Sequence, residues 1–208
     1  MKKTIFLLAF LFSFSANEMN AQTENLPDDK VVNKEFLLDY FEETADALQN
    51  NIQGLNSKQM QYKPSENRWS VAQCIEHIIL TEGTLFNEAK ELMEKPENPE
   101  RKAEIKTTAE QLIVGVTDRS HKFQAPKGLQ PSGKYDSPKA AIEDFKAQRA
   151  KILEFIETVS AKELHSHIGD TPFGATDAYQ SFLFIAGHTA RHTLQIEEVK
   201  ADKGFPKS

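Results

Sequence analysis

Residues 176–200 read Thr176-Asp177-Ala178-Tyr179-Gln180-Ser181-Phe182-Leu183-Phe184-Ile185-Ala186-Gly187-His188-Thr189-Ala190-Arg191-His192-Thr193-Leu194-Gln195-Ile196-Glu197-Glu198-Val199-Lys200. Thr176 or Asp177 starts a helix that runs to about Lys200. Successive residues turn by about 100°, so His188 and His192 lie about 40° apart and one turn separated. Two imidazoles so placed can share one metal ion. Ala178, Ile185, Ile196 and Val199 fall on the same side and turn the pair inward, while Arg191 and Glu198 fall roughly opposite. The spacing also suits a satisfied core or surface pair, and by itself does not choose. Leu183, Ala190 and Leu194 form a second apolar stripe, which serves either the other side of the core or a homodimer interface.

Three more helices can be read from the same periodicity. Between Asn33 and Leu55, apolar Leu37, Phe41, Ala45, Leu48, Ile52 and Leu55 recur every three or four residues. Ser70-Val71-Ala72-Gln73 fits a capping box, with Trp69 and Cys74 as its hydrophobic staple, and opens a helix that ends near Glu94, before Pro96. Ser137-Pro138 is a cap followed by proline at the first helical position, and Ile142, Phe145, Ile152, Ile156 and Val159 follow. With no convincing strand pattern, the fold class is all-α, a four-helix bundle. A long crossover loop, Pro96 to Asp136, joins helices two and three; it includes a short helix over Thr108 to Val116 and a Pro- and Gly-rich stretch from Ala125 to Tyr135. Such a connection suits a pocket lid.

Met1-Lys2-Lys3, an apolar run from Thr4 to Ala16 and the small residue Ala21 read as a signal peptide over residues 1–21. The run is too short to span a membrane, so no stable membrane insertion is expected. Residues 22–208 are expected to form one domain of an exported protein, periplasmic or secreted. The formal net charge is −6, and loss of Lys2, Lys3 and Glu18 takes it to −7, which argues against nucleic acid as a partner. Cys74 is the only cysteine, so no internal disulfide can form.

Three segments resemble a known family. Trp69-Ser70-Val71-Ala72-Gln73-Cys74-Ile75-Glu76-His77-Ile78 looks like the Trp-Ser segment that ends in a helix-two histidine of the DinB-like family, the DinB/YfiT superfamily. Phe184 to Ile196 looks like its terminal His-x-x-x-His helix, and Asp118 to Pro126 is similar to a link found in one of its branches. The resemblance spans about Asn33 to Lys200. It implies an up-down-down-up four-helix bundle in which His77, His188 and His192 bind a divalent metal ion, nickel or zinc. Three imidazoles leave room for water, as in catalytic rather than structural zinc sites. The implied functions are a metal-dependent hydrolase or thiol transferase, and the alternative is a noncatalytic module that binds metal or a small ligand. Its small-molecule substrate cannot be read from the sequence. Metal affinity is expected to fall near pH 6.5, where free histidine titrates.

The remaining candidates have more ordinary readings. His121, His165 and His167 are expected in solvated loops. Cys74 reads as a small buried hydrophobe rather than a fourth ligand. Asp177, Ser181 and Gln195 align with the histidine pair as groups able to orient an imidazole, with capping the stronger account of Asp177. Arg149, on the apolar line of the third helix, reads as a snorkelling surface arginine or as a partner for a substrate anion. Glu76 is turned about 100° away from His77, which leaves no assured general base.

Overall fold

A computed structural model describes residues 33–172 and 174–207. The signal-peptide reading lies outside the described residues. Helix α1 spans Lys34–Ile52, α2 Ser57–Gln61, α3 Val71–Met93, α4 Ala109–Thr117, α5 Pro138–Thr158, α6 Ala161–Ser166 and α7 Ala178–Lys200. Their starts follow from side-chain chemistry. The Ser70 side chain accepts from the Gln73 amide while Gln73 reaches back to the Ser70 amide, and Thr108 with Gln111 does the same for α4. Asn33 and Asp177 cap α1 and α7. Ser137 precedes Pro138 as expected, but its side chain makes no capping hydrogen bond.

Helix α7 packs against α1, α3 and the crossover helix α4, while α5 closes the bundle against α3 and α1. Ala178, Ile185, Ile196 and Val199 are all inaccessible to solvent, as their shared face requires. Arg191 is the first correction: it was placed roughly opposite the core, yet α4 and the loop after it cover that side and bury it. Its guanidinium donates to the carbonyls of Val116, Asp118 and His121. Gly187 permits this cover, because a Cβ there would stand 2.4 Å from Cγ1 of Val116. Leu183 and Ala190 of the second stripe are likewise buried within this chain, and Leu194 is half-buried.

The core has two apolar clusters with a polar layer between them. Leu37, Phe41, Phe86, Ile152, Phe182 and Ile185 belong to one, and Leu48, Ile78, Phe145, Ile196 and Val199 to the other. Between them each long helix contributes a polar residue: Thr44, Glu82, Arg149 and Thr189. Arg149 pairs with Glu82, and donates to Thr189 Oγ1 at 2.9 Å, Thr44 Oγ1 at 3.2 Å and the Phe41 carbonyl at 2.8 Å. Burial pushes the Glu82 carboxyl up and the Arg149 guanidinium down, and each charge pulls the other back. Arg149 is therefore neither at the surface nor available to a substrate; its line of apolar neighbours carries it into the core, where Phe41 and Phe145 cover its cation.

The chain also forms a hairpin that periodicity did not anticipate. Strands β1, Ile168–Thr171, and β2, Gly174–Asp177, pair antiparallel, with Ile168 opposite Asp177 and Thr171 opposite Gly174. Four residues are too few for alternation to stand out. The hairpin and α6 correct two histidines. His165 lies in the last turn of α6, where its Nδ1 is 2.8 Å from the Asp177 carboxylate and its ring stacks on Tyr179; His167 is 7% exposed. Neither is a solvated loop residue, whereas His121 is exposed.

Candidate metal centre

Helix α7 presents His188 and His192 one turn apart, and α3 brings His77 against them. The ring centroids are 4.4 Å apart for His188 and His192, 4.7 Å for His77 and His192, and 5.0 Å for His77 and His188. One ligand-capable nitrogen from each ring lies within 4.8 Å of the others. All three residues are buried, at 5%, 9% and 7% exposure. Cys74 stands outside the group, in the apolar cluster, where burial pushes its thiol up to about 12.

Hydrogen bonds fix which nitrogen each ring turns inward. His77 Nδ1 is 2.8 Å from the Leu129 carbonyl oxygen, which can only accept, so Nδ1 carries the proton and Nε2 keeps its lone pair. His192 Nδ1 donates to Gln195 Oε1 at 2.8 Å, which likewise frees Nε2. His192 Nε2 faces His188 Nε2 at 3.1 Å, and His188 Nδ1 is buried with no partner. No proton placement satisfies both nitrogens of His188 from the described residues alone. Metal–nitrogen bonds of about 2.0–2.1 Å at angles of about 90–109° put neighbouring ligand nitrogens about 2.8–3.4 Å apart, so the His188–His192 spacing of 3.1 Å fits a divalent ion accepting both lone pairs.

The electrostatics agree with this donor set. Burial lowers His77, takes His188 down to about 3 and holds His192 well below its ordinary value; His77 depresses the other two further, and His188 depresses His192. All three are neutral imidazoles at physiological pH, the form that coordinates metal. Trp69 packs over His77 and His192 at 4.7 and 5.9 Å, and Phe184 stacks on His188 at 6.2 Å. Trp69 thus walls the site.

Of the three groups aligned with the histidine pair, only Gln195 contacts it. Asp177 accepts from the Gln180 amide and pairs with His165, and Ser181 donates to the Asp177 carbonyl. The Leu129 carbonyl was missed because a backbone oxygen in a long loop leaves no mark in the sequence. Glu76 explains its placement. Burial alone would raise this carboxyl, but the amides of Gly133 and Lys134, at 2.6 and 3.1 Å, and the Ser132 hydroxyl outweigh burial and hold it low. The carboxylate beside His77 therefore moors the loop whose carbonyl orients His77.

Known proteins resemble this chain in sequence and in fold. YuaE of Bacillus subtilis strain 168, itself uncharacterised, is 24% identical over 151 residues, covering 73% of this chain and 89% of its own length. The structure of YfiT from Bacillus subtilis, described as a probable metal-dependent hydrolase with an unusual four-helix bundle topology, superposes with a TM-score of 0.56 at 11% identity, covering 83% of this chain and 89% of that one. The family model of the DinB superfamily matches residues 40–196, from within α1 to the last turns of the histidine helix. The chain belongs to the DinB superfamily.

Proposed function

We propose that this chain is a metal-dependent hydrolase whose divalent ion, nickel or zinc, is held by Nε2 of His77, His188 and His192. The observation that carries the reading is the 3.1 Å approach of the two Nε2 atoms on α7 while Nδ1 of both His77 and His192 is committed elsewhere. The hydrolase description of YfiT supports it by analogy. When bound, such an ion supplies Lewis acidity, which makes hydrolysis accessible near neutral pH. The chain's own part is to keep three neutral rings aimed at one point, with Leu129 and Gln195 fixing two of them. Trp69 and Phe184 keep water from the ring faces. Export through residues 1–21 would place this activity in the periplasm or outside the cell, where water is available and cytoplasmic thiols are not.

One observation favours the noncatalytic reading. Both carboxylates of α3 nearest His77 are engaged, Glu76 by the loop and Glu82 by Arg149, and no carboxylate joins the histidine cluster among the described residues. Elemental analysis, followed by assay of the loaded protein on ester, amide and thiol-transfer substrates with His192→Ala as control, separates the cases. Turnover of esters or amides that His192→Ala abolishes supports the hydrolase. Turnover only with thiols makes it a transferase, stoichiometric metal without turnover makes it a binding module, and no metal rejects the site.

A further inference from the structure

Thr81 stands one turn along α3 from His77, and its hydroxyl is placed unlike that of any other helical threonine among the described residues. Thr44, Thr84, Thr117, Thr158, Thr189 and Thr193 each donate to a main-chain carbonyl three or four residues back. That carbonyl is the usual partner of a hydroxyl inside a helix, and it selects one of two side-chain rotamers. Thr81 forgoes it. Its Oγ1 lies instead 3.4 Å from Nδ1 and 3.5 Å from Nε2 of His77, its only hydrogen-bond partners among the described residues.

Neither nitrogen satisfies the hydroxyl. Nδ1 carries a proton that goes to the Leu129 carbonyl, so it has no lone pair with which to accept. Nε2 has one, but 3.5 Å is long for an O–H donor, which ordinarily sits within about 3.0 Å of its acceptor. A bound ion would take that lone pair in any case. Thr81 is 5% exposed, so bulk solvent is not at hand as a substitute. A buried hydroxyl without a good acceptor calls for an explanation, and its position beside the metal centre supplies one.

The direction agrees. His77 meets His188 and His192, Glu82 meets Thr189, and Phe86 meets Phe182, so α3 and α7 run antiparallel. Trp69, just before α3, covers His77 and His192. Thr81 is displaced about 6 Å along α3 in the other sense, toward the end of the cluster where Phe184 stacks on His188. The tryptophan closes one end of the three rings, and the threonine borders the other.

We propose that Thr81 donates a hydrogen bond to an oxygen atom of the ligand that enters on the open side of the three histidines. The proposal deepens the metal-centre reading and rests on it. It also gives the site a preference: carbonyl and carboxylate oxygens are held there, in contrast with thiols, whose sulfur accepts hydrogen bonds weakly.

The full chain is loaded with cobalt(II), whose visible absorption reports on what binds to it, and titrated with acetohydroxamate as an oxygen probe and with 2-mercaptoethanol as a sulfur probe. Thr81→Val keeps the shape of the side chain without the hydroxyl, and Thr81→Ser keeps the hydroxyl. Thr81→Val should bind cobalt as the wild type does and, metal-free, melt no lower. It should bind acetohydroxamate about tenfold more weakly, the loss expected of one hydrogen bond to a charged group, with 2-mercaptoethanol unchanged and Thr81→Ser restoring the oxygen probe. Equal acetohydroxamate binding by Thr81→Val, or the same loss with both probes, would overturn the proposal. So would a loss of cobalt affinity or of metal-free stability that Thr81→Ser repairs, since the hydroxyl would then serve the metal or the fold. A wild-type chain that binds no cobalt would reject the metal reading itself, and the proposal with it.

Discussion

Nδ1 of His77 donates to the carbonyl oxygen of Leu129 across 2.8 Å of space and 52 residues of chain. The bond makes the crossover connection part of the metal centre. It is also indirect, since the loop position depends on Glu76, one residue before His77, through Ser132, Gly133 and Lys134.

Glu76→Ala should therefore weaken metal binding although Glu76 donates nothing to the metal. Loss of groups that orient a liganding histidine typically lowers affinity 10–100-fold, and a mooring one step further out should sit near the lower end, about tenfold. Zinc titrations of the variant, with circular dichroism to check that the helices persist, measure this. Unchanged affinity would mean that Gln61, which donates to the Gly133 and Tyr135 carbonyls, holds the loop unaided.

The Glu82–Arg149 pair predicts a different asymmetry. Arg149→Leu strands a carboxylate that is 0% exposed, which should destabilise the fold by about 3–5 kcal/mol. Replacing both partners by leucine should recover most of that, because an apolar pair would join the clusters on either side. Urea denaturation of the single and double variants decides. A double variant no more stable than Arg149→Leu would show that the wider network with Thr44 and Thr189, rather than the unpaired charge, supports the bundle.

These residues also mark how far the sequence could be read. The long helices and their caps were legible because Ser70, Gln73 and Asp177 act on backbone groups three residues away, and apolar spacing reports burial directly. The facing of His188 and His192 was legible because both sit on one helix. Arg149 was not, since its burial depends on Glu82 and Thr189 arriving from two other helices. Arg191 was misplaced for a related reason: helical angles locate a residue relative to its own axis, and say nothing of a crossover helix laid over the opposite face. His165 and His167 were assigned to solvent because the hairpin that covers them is too short to show a period.

Gly187 tests the crossover helix itself. A methyl group there would stand 2.4 Å from Cγ1 of Val116, a β-branched side chain with little freedom to turn aside. Gly187→Ala would gain helix propensity but should still destabilise by about 1–3 kcal/mol through overpacking. Val116→Ala in the same chain should restore stability by relieving that contact. Thermal melts of the two singles and the double give the coupling, and additive effects would show that α4 does not press on α7 at this point.

The last prediction concerns acid. Burial keeps His77, His188 and His192 below the ordinary histidine value, His188 at about 3. Above about pH 6.5 these rings are neutral both folded and unfolded, and pH leaves their contribution unchanged. Below it the unfolded chain takes up protons that the folded chain refuses, so stability of the metal-free protein should fall with pH. The loss is at most about 1.4 kcal/mol per pH unit for each ring, and for His188 it continues down to its folded value. Urea unfolding of the metal-free protein at pH 7.5, 6.0 and 5.0 should show this slope, and His188→Gln should flatten it by about one proton. Metal affinity follows the folded rings, so its decline should be displaced below pH 6.5, the value expected of free histidine. Because the ion binds only the native arrangement, zinc should raise the melting temperature at pH 6.0 as well as at pH 7.5. A zinc-induced rise that disappears between those two pH values would mean that the rings titrate as solvated histidines and that the pocket is open to water.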